Sequence, residues 1–315
     1  MSFVLVGTGS GFSAPIILLI IIPVLLTKKI QSMYSNTIDL RTKQDNIFLS
    51  LSFLQAAMIL TAAIQSLLEP SVYKLESRNW QIQAIGQDLI NSVLVAPALV
   101  ICTVCVFRNK AKAFYIWGGF HLYLLYTFII YAFNVHFNSF FLLYCGVLGI
   151  SVYSLLWYSS RILQLNSPTL FRPTFSSKII AVYFIMVGSF FMVLWLFEIV
   201  PAIIAGGQPD SLDKTALFTN PVHVLDISVV LPSFIIIAIL LLKGHRIAFL
   251  LVPSLLTFML LMSITIMFLT VFAGYQEQQH NAALASNMAL FSLICFFLLR
   301  RHLGELVKPL STNQE

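Results

Sequence analysis

The segment TNPVHVLDISVVLPSFIIIAILLL, residues 219–242, holds two ionisable side chains at the start of a long apolar run. Asn220 suits a helix N-cap and Pro221 suits the first helical position, so we predict that a helix begins here. A helix needs about 20 apolar residues to cross the hydrocarbon core of a bilayer. The segment therefore predicts a membrane-spanning helix with His223 and Asp226 near its start.

The composition of the whole chain extends this prediction to the entire protein. Of its 315 residues, 59% are hydrophobic and only 10% are charged, whereas roughly a quarter of an ordinary soluble domain is charged. This is too little polar surface for a water-soluble globule, so we expect an integral membrane protein. The formal net charge of +6 comes from cations placed between apolar runs, where they act as orientation signals. Nucleic acid is therefore not an expected partner, whereas the lipid bilayer is.

The apolar runs predict an all-α, polytopic transmembrane helical bundle with about nine spans, because an uninterrupted helix satisfies its own backbone groups in lipid. Glycines and prolines dilute the first run, so eight spans is the alternative. The predicted spans are residues 10–27, 46–68, 86–107, 113–134, 138–160, 178–205, 221–242, 247–272 and 282–299.

Lysine and arginine are distributed very unevenly on the two sides of these spans. Three lie on one side, namely Lys74, Arg78 and Lys214. Fifteen lie on the other, namely Lys28, Lys29, Arg41, Lys43, Arg108, Lys110, Lys112, Arg161, Arg172, Lys178, Lys243, Arg246, Arg300, Arg301 and Lys308. Cytoplasmic loops carry the excess of positive charge. We therefore predict that the N-terminus is outside the cell and the C-terminus inside.

The connections are too short to form a separate soluble domain, so residues 1–315 are predicted to be one integral membrane domain. Residues 1–45 would form a peripheral first span and a cytoplasmic loop. Residues 46–299 would form the core of the bundle, and residues 300–315 a short cytoplasmic tail. The four cysteines all lie inside apolar runs, so no disulfide framework is expected.

Three carboxylates lie inside predicted spans and mark a candidate site. An isolated charge at the centre of a membrane helix costs about 2.5–3.5 kcal/mol on insertion scales. Asp88, Glu198 and Asp226 therefore need partners. Glu198 and Asp226 are expected at similar depths near the outer surface, with Asp88 at the outer start of its span.

Three further polar residues are expected in the same outer layer. Asn91 follows Asp88 by three residues and shares its helix face. His136 lies in the tight connection YAFNVHFN, and His223 lies three residues before Asp226. The candidate substrate or ion site is therefore Asp88, Asn91, His136, Glu198, His223 and Asp226.

Three functions remain open for this set. In the first, Glu198 and Asp226 exchange a proton, an ion or a small solute and His223 relays it, as in a transporter or a sensor. In the second, His223 and Asp226, with His136 or Glu198, hold zinc or another divalent metal in a membrane-embedded hydrolase. In the third, the protein has a structural or assembly role, and the polar groups only join its helices. The sequence does not identify any partner subunits. No cofactor motif or phosphate-binding loop is present, so the sequence does not predict whether the protein is an enzyme.

Four motifs resemble an uncharacterised group of bacterial multi-pass inner-membrane proteins. They are GQDLIN at 86–91, YAFNVHFN at 131–138, FEIVPAIIAG at 197–206 and TNPVHVLDISVVLP at 219–232. The resemblance implies a location in the bacterial inner membrane. It also implies that the outer polar cluster is a feature of the group. It carries no activity over to this chain.

Overall fold

The computed structural model describes residues 43–165, 173–278 and 280–306. The first predicted span, residues 10–27, lies outside these ranges. Within them every regular element is a helix, as predicted. Eight of the helices are long enough and apolar enough to cross a membrane, and the chain is accordingly a multi-pass membrane protein.

The eight long helices coincide with the second to ninth predicted spans. They are α1 (Lys43–Leu68), α2 (Arg78–Phe107), α3 (Ala111–Asn134), α4 (Phe141–Leu165), α5 (Phe175–Ile204), α6 (Pro221–Leu242), α7 (Arg246–Glu277) and α8 (Ala282–Leu306). A 3-10 turn, Pro70–Tyr73, joins α1 to α2, and a short helix, Asp210–Thr215, joins α5 to α6.

Two helices extend furthest beyond the predicted spans. Helix α2 begins at Arg78 and not near residue 86, because Ser77 caps it: the Ser77 Oγ accepts a hydrogen bond from the Trp80 backbone N–H at 3.3 Å. Helix α8 continues to Leu306, into the segment expected to be a tail. Polar residues at a helix end hide its true boundary from a count of apolar residues.

Helix α3 lies at the centre of the bundle. Of its most apolar stretch 72% is buried, against 17% for α8. It packs against α2, α4 and α7, while α7 also contacts α2, α6 and α8. The outer helices direct large apolar side chains away from the protein, including Phe190, Phe197 and Phe297, as expected for a lipid-facing surface.

Contacts between distant helix ends show that the helices alternate in direction. At one end of the bundle, Arg161 of α4 lies 3.5 Å from Asp45 of α1. At the other end, the Ser77 Oγ donates to the backbone carbonyl of Lys214 at 3.3 Å. This second end, called the outer end below, holds the three cations expected outside the cell. The orientation in the membrane stays a prediction.

Two helices contain one turn of π-helix, and each turn begins at a predicted site residue. The first runs from Asn91 to Val95 in α2, and the second from Asp226 to Val230 in α6. A π-turn inserts one extra residue and redirects the side chains around it, and such turns occur frequently at functional sites. Both irregular turns therefore favour the polar residues singled out from the sequence.

Candidate functional site

Asp226 is held by two side chains from neighbouring helices. The Trp195 Nε1–H donates to Oδ2 at 2.9 Å, and the Tyr126 hydroxyl donates to Oδ1 at 3.2 Å. These are orienting hydrogen bonds without a cation. The arginine and histidine side chains that contact carboxylates in the described part of the chain bind others, namely those of Asp45, Glu76, Glu198 and Glu305.

His223 and Glu198 meet beside this carboxylate. The His223 Nε2 lies 3.5 Å from the Glu198 Oε2, and the imidazole packs on the Trp195 indole with 4.6 Å between ring centroids. Glu198 also accepts a hydrogen bond from the Ser211 backbone N–H at 3.1 Å. Glu198, His223, Trp195 and Asp226 thus form one connected set, called the α5–α6 polar group below.

The local sequence explains this arrangement. Trp195 and Glu198 on α5, like His223 and Asp226 on α6, are three residues apart and share a helix face. The Asn220 Oδ1 accepts hydrogen bonds from the backbone N–H groups of Val222 at 3.0 Å and of His223 at 3.4 Å. The predicted N-cap of α6 is therefore confirmed, and it sets the depth of both site residues.

Asp88 belongs to a different cluster. Its carboxylate accepts hydrogen bonds from Ser66 at 2.5 Å, Tyr73 at 2.6 Å and Tyr131 at 2.9 Å. It does not open its span as expected, because α2 begins ten residues earlier, at Arg78. Asp88 therefore lies deep between helices, 3% exposed. Its three donors come from α1, the 3-10 turn and α3.

Tyr73 remains a donor in this cluster over the physiological pH range. Burial raises its pKa well above the usual value, and the nearby Asp88 carboxylate raises that pKa further. Its hydroxyl oxygen also lies 3.4 Å from that of Tyr144 on α4. The Asp88 cluster consequently joins four helices and the turn between α1 and α2 through neutral hydroxyl groups.

Asn91 takes part in a third network. The Gln87 Nε2 donates to the Asn91 Oδ1 at 3.0 Å and to the Tyr123 hydroxyl oxygen at 2.8 Å. That hydroxyl lies 2.9 Å from the Thr265 Oγ1 on α7. The network connects α2, α3 and α7 near the π-turn of α2, with no carboxylate among these four side chains.

His136 lies at the outer surface with a partner that the sequence prediction left out. Its Nδ1 is 3.0 Å from the Glu76 Oε1, and its backbone N–H donates to the same oxygen at 2.7 Å. The His136 side chain is 54% exposed, while that of Glu76 is 2% exposed. Through these two contacts, Glu76 links the α3–α4 connection to the α1–α2 connection.

We expect replacement of Glu76 by Ala to lower the free energy of unfolding by about 2 kcal/mol, because the buried side chain accepts a backbone hydrogen bond. Glu76→Gln keeps a carbonyl oxygen at the same place and should cost about 0.5 kcal/mol. Unfolding by SDS titration measures both. Equal losses in the two variants would contradict the assigned role of the Oε1 atom.

The predicted metal set is not gathered at one place. His136 is paired with Glu76, whereas His223 is paired with Glu198. Across residues 43–165, 173–278 and 280–306, no three His, Cys, Asp or Glu side chains are grouped as a metal site would require. Zinc binding by His223, Asp226, His136 and Glu198 stays a prediction that these contacts do not support.

A cavity of about 510 Å³ lies beside the α5–α6 polar group. Six helices contribute to its wall, from α2 and α3 to α5, α6, α7 and α8, and most of the lining is aliphatic or aromatic. Among the described residues that line it, Asp226 is the one Asp, Glu, Lys, Arg or His. Polar contacts also come from Gln83, Gln87 and Tyr126.

Sequence reasoning missed several of these partners. Three tyrosines of α3 were not among the predicted site residues, although Tyr123, Tyr126 and Tyr131 each bind a polar group. Trp195 was missed although it precedes Glu198 by three residues. Its N–H is a polar group that needs a partner when buried, and that need was the available signal.

The four motifs that resemble bacterial inner-membrane proteins all lie in the outer half of the bundle, on α2, α5 and α6 and around the α3–α4 connection. The structure places their polar residues in separate networks and not in one cluster. The resemblance itself stays a prediction. Comparison with protein-family models, with curated proteins and with solved structures finds no match to this chain.

Proposed function

We propose that this protein binds a small amphipathic solute in the large cavity and that Asp226 holds a cationic or proton-donating group of that solute. Binding would serve transport or sensing in a bacterial inner membrane. The observation that supports this proposal most strongly is that, among the described residues, one carboxylate lies on the wall of a mostly apolar cavity of about 510 Å³.

The size and lining of the cavity fit a small organic solute. Ligand sites in proteins usually measure about 300–1,000 Å³ and combine apolar walls with a few oriented polar groups. The aromatic rings of Tyr126, Trp195 and Phe258 contribute to the wall. Aromatic faces attract cations through their quadrupole. An apolar body with a cationic group would thus meet complementary surfaces.

The bonding of Asp226 leaves room for such a group. A carboxylate accepts about four hydrogen bonds, and the structure gives Asp226 one on each oxygen. The two donors fix its orientation but leave its negative charge uncompensated. In a membrane interior this charge is costly until a proton or a cation neutralises it. Asp226 is therefore suited to exchange one for the other.

His223 and Glu198, which lie next to Asp226, can transmit a movement at Asp226 to the rest of the protein. Trp195 bonds to Asp226 and packs on His223, which lies beside Glu198. In this proposal, a solute that draws Asp226 inward also shifts Trp195. His223 and Glu198 then follow, and through Ser211 the short outer helix Asp210–Thr215 follows as well.

The proposal is tested with two probes of the same shape and opposite charge, tetraphenylphosphonium and tetraphenylborate. Purified protein is expected to bind the cation in preference to the anion. Asp226→Asn should weaken binding of the cation by about tenfold or more, because it removes a Coulomb attraction of about 2 kcal/mol between charges roughly 8 Å apart at an effective dielectric constant of about 20. Equilibrium dialysis with the radiolabelled ions measures this.

Glu277→Gln is the matched control, because Glu277 is an exposed carboxylate at the outer end of α7. It should leave the affinity unchanged. Equal affinity for the cation in the native protein and in a folded Asp226→Asn variant would overturn the assignment. So would preferential binding of tetraphenylborate.

A further inference from the structure

A second, smaller cavity lies at the outer end of the bundle. Its volume is about 180 Å³, and its wall comes from the first turns of α2, the segment around the short helix Asp210–Thr215 and the start of α6. Trp80, Gln83 and Val222 line this cavity and also line the large one. The two cavities therefore adjoin at these three residues.

We propose that the smaller cavity is the vestibule through which the solute enters the large cavity from the extracytoplasmic side. The Trp80 ring is the gate between the two cavities. Gln83 lines both cavities and offers hydrogen bonds to the solute in each. The identity of the passing molecule rests on the proposed function. The route itself rests on the two cavities and the wall between them.

Hydrogen bonds hold the framework of the vestibule in place. The Ser77 Oγ donates to the Lys214 carbonyl at 3.3 Å, and the Asn220 Nδ2 donates to the Ser211 Oγ at 3.3 Å. The Ser211 backbone N–H in turn donates to Glu198. The start of α2, the short helix and the start of α6 are thus joined to one another and to the α5–α6 polar group.

Unlike the framework of the vestibule, the Trp80 ring is not held by a hydrogen bond of its side chain. The backbone N–H of Trp80 is fixed by the Ser77 cap. Its indole Nε1 is buried, yet within the described residues it has no hydrogen-bond partner. A buried indole N–H usually finds an acceptor. Packing alone therefore fixes this ring, and rotation away from the wall breaks no hydrogen bond of the side chain.

The chemistry of the vestibule suits the polar group of an amphiphile. Its lining includes amide, hydroxyl and ammonium groups, from Asn79, Gln83, Ser211, Lys214, Thr215 and Asn220. The Gln83 Nε2 donates to the Asn79 Oδ1 at 2.6 Å, which leaves the Gln83 carbonyl oxygen to accept a bond from a solute. Lys214 is exposed, and its long, flexible side chain can hold the ammonium group in water away from a cationic solute.

Access to the large cavity can be timed with an engineered thiol. Val230 lines the cavity four residues after Asp226, and Val230→Cys serves as the reporter in a chain whose four native cysteines are replaced by Ala. The probe is a membrane-impermeant, cationic methanethiosulfonate, added to right-side-out vesicles. If the cysteine-free chain does not fold, the native cysteines are kept and their labelling without Val230→Cys is subtracted.

Opening the gate should speed labelling. We expect Trp80→Ala to raise the labelling rate by about tenfold and Trp80→Phe, which keeps a ring there, to change it less than about twofold. Leu284→Ala trims the α8 side of the same cavity and is the control, with no expected change. If Trp80→Ala does not fold, Val222→Ala replaces it, with an expected rise of about threefold.

The outcomes separate this inference from the proposed function. An unchanged rate in Trp80→Ala, a larger rise in Leu284→Ala, or faster labelling from the cytoplasmic side in inside-out vesicles would each overturn the route. None of these rates depends on binding of tetraphenylphosphonium. A confirmed gate together with failed cation binding would therefore refute only the assigned solute.

Discussion

Replacement of Asp88 by Ala is expected to lower the free energy of unfolding by about 4 kcal/mol, because the buried hydroxyl groups of Ser66, Tyr73 and Tyr131 would each lose a hydrogen bond to a carboxylate. A hydrogen bond to a charged group contributes about 1.5–3 kcal/mol. The remaining partners of these hydroxyls, the carbonyl oxygens of Ala63 and Ala84 and the Tyr144 hydroxyl, offset part of the loss. The loss would loosen the contacts of α1, α2 and α3 together. SDS titration of the purified protein measures it.

Tyr131→Phe provides the graded control, since it removes one of the three donors and leaves the carboxylate with two. We expect it to cost about 1 kcal/mol. The 3% exposure of Asp88 leaves little room for water to replace the lost partner. If Asp88→Ala unfolded at the same SDS fraction as the native protein, the Asp88 cluster would have no structural role.

Gly119→Ala is expected to cost about 3 kcal/mol, because a side chain at this position has no space between α3 and α7. A Cβ atom there would lie 2.6 Å from the backbone carbonyl oxygen of Ser254 and would also overlap the side chain of Thr257. A backbone atom cannot rotate away as a flexible side chain can. The two central helices would have to separate.

Gly149→Ala should instead raise the stability of the protein. Within the described residues, no heavy atom lies within 4 Å of a Cβ built at Gly149, which is inside α4. Alanine in a helix interior is favoured over glycine by about 0.5–1 kcal/mol. Thermal unfolding in detergent compares the two variants. A similar stability for Gly119→Ala and Gly149→Ala would contradict the close packing of α3 on α7.

The sequence predicted the helices better than it predicted their ends. Long apolar runs identify a membrane helix directly, since each run must satisfy its own backbone groups. The first turns of α2, around Arg78, contain arginine, asparagine and glutamine, so a count of apolar residues could not include them. Asp88 keeps the expected outer level, since its partners lie near the outer ends of α1 and α3 and in the turn between α1 and α2, but it is enclosed between helices.

Part of the geometry around the candidate site follows from the sequence. The α6 helix start and the short spacing from His223 to Asp226 indicated correctly that a polar group would lie near the outer end. The contact between His223 and Glu198 fits the depths expected from their positions along the helices. Which residues share a network depends on helix rotation and on packing between helices. Neither follows from depth, and His136 and Asn91 lie in networks separate from that of Asp226.

Labelling of carboxyl groups by dicyclohexylcarbodiimide, with the modified peptides identified by mass spectrometry, tests the central claim most directly. This bulky apolar reagent must reach a carboxyl group through an apolar space, and Asp226 lines the large cavity while Asp88 is enclosed by its three donors. We predict that Asp226 is modified well before Asp88 and that tetraphenylphosphonium protects it. Modification of Asp88 ahead of Asp226, or labelling of Asp226 at a rate that the cation does not change, would contradict the account.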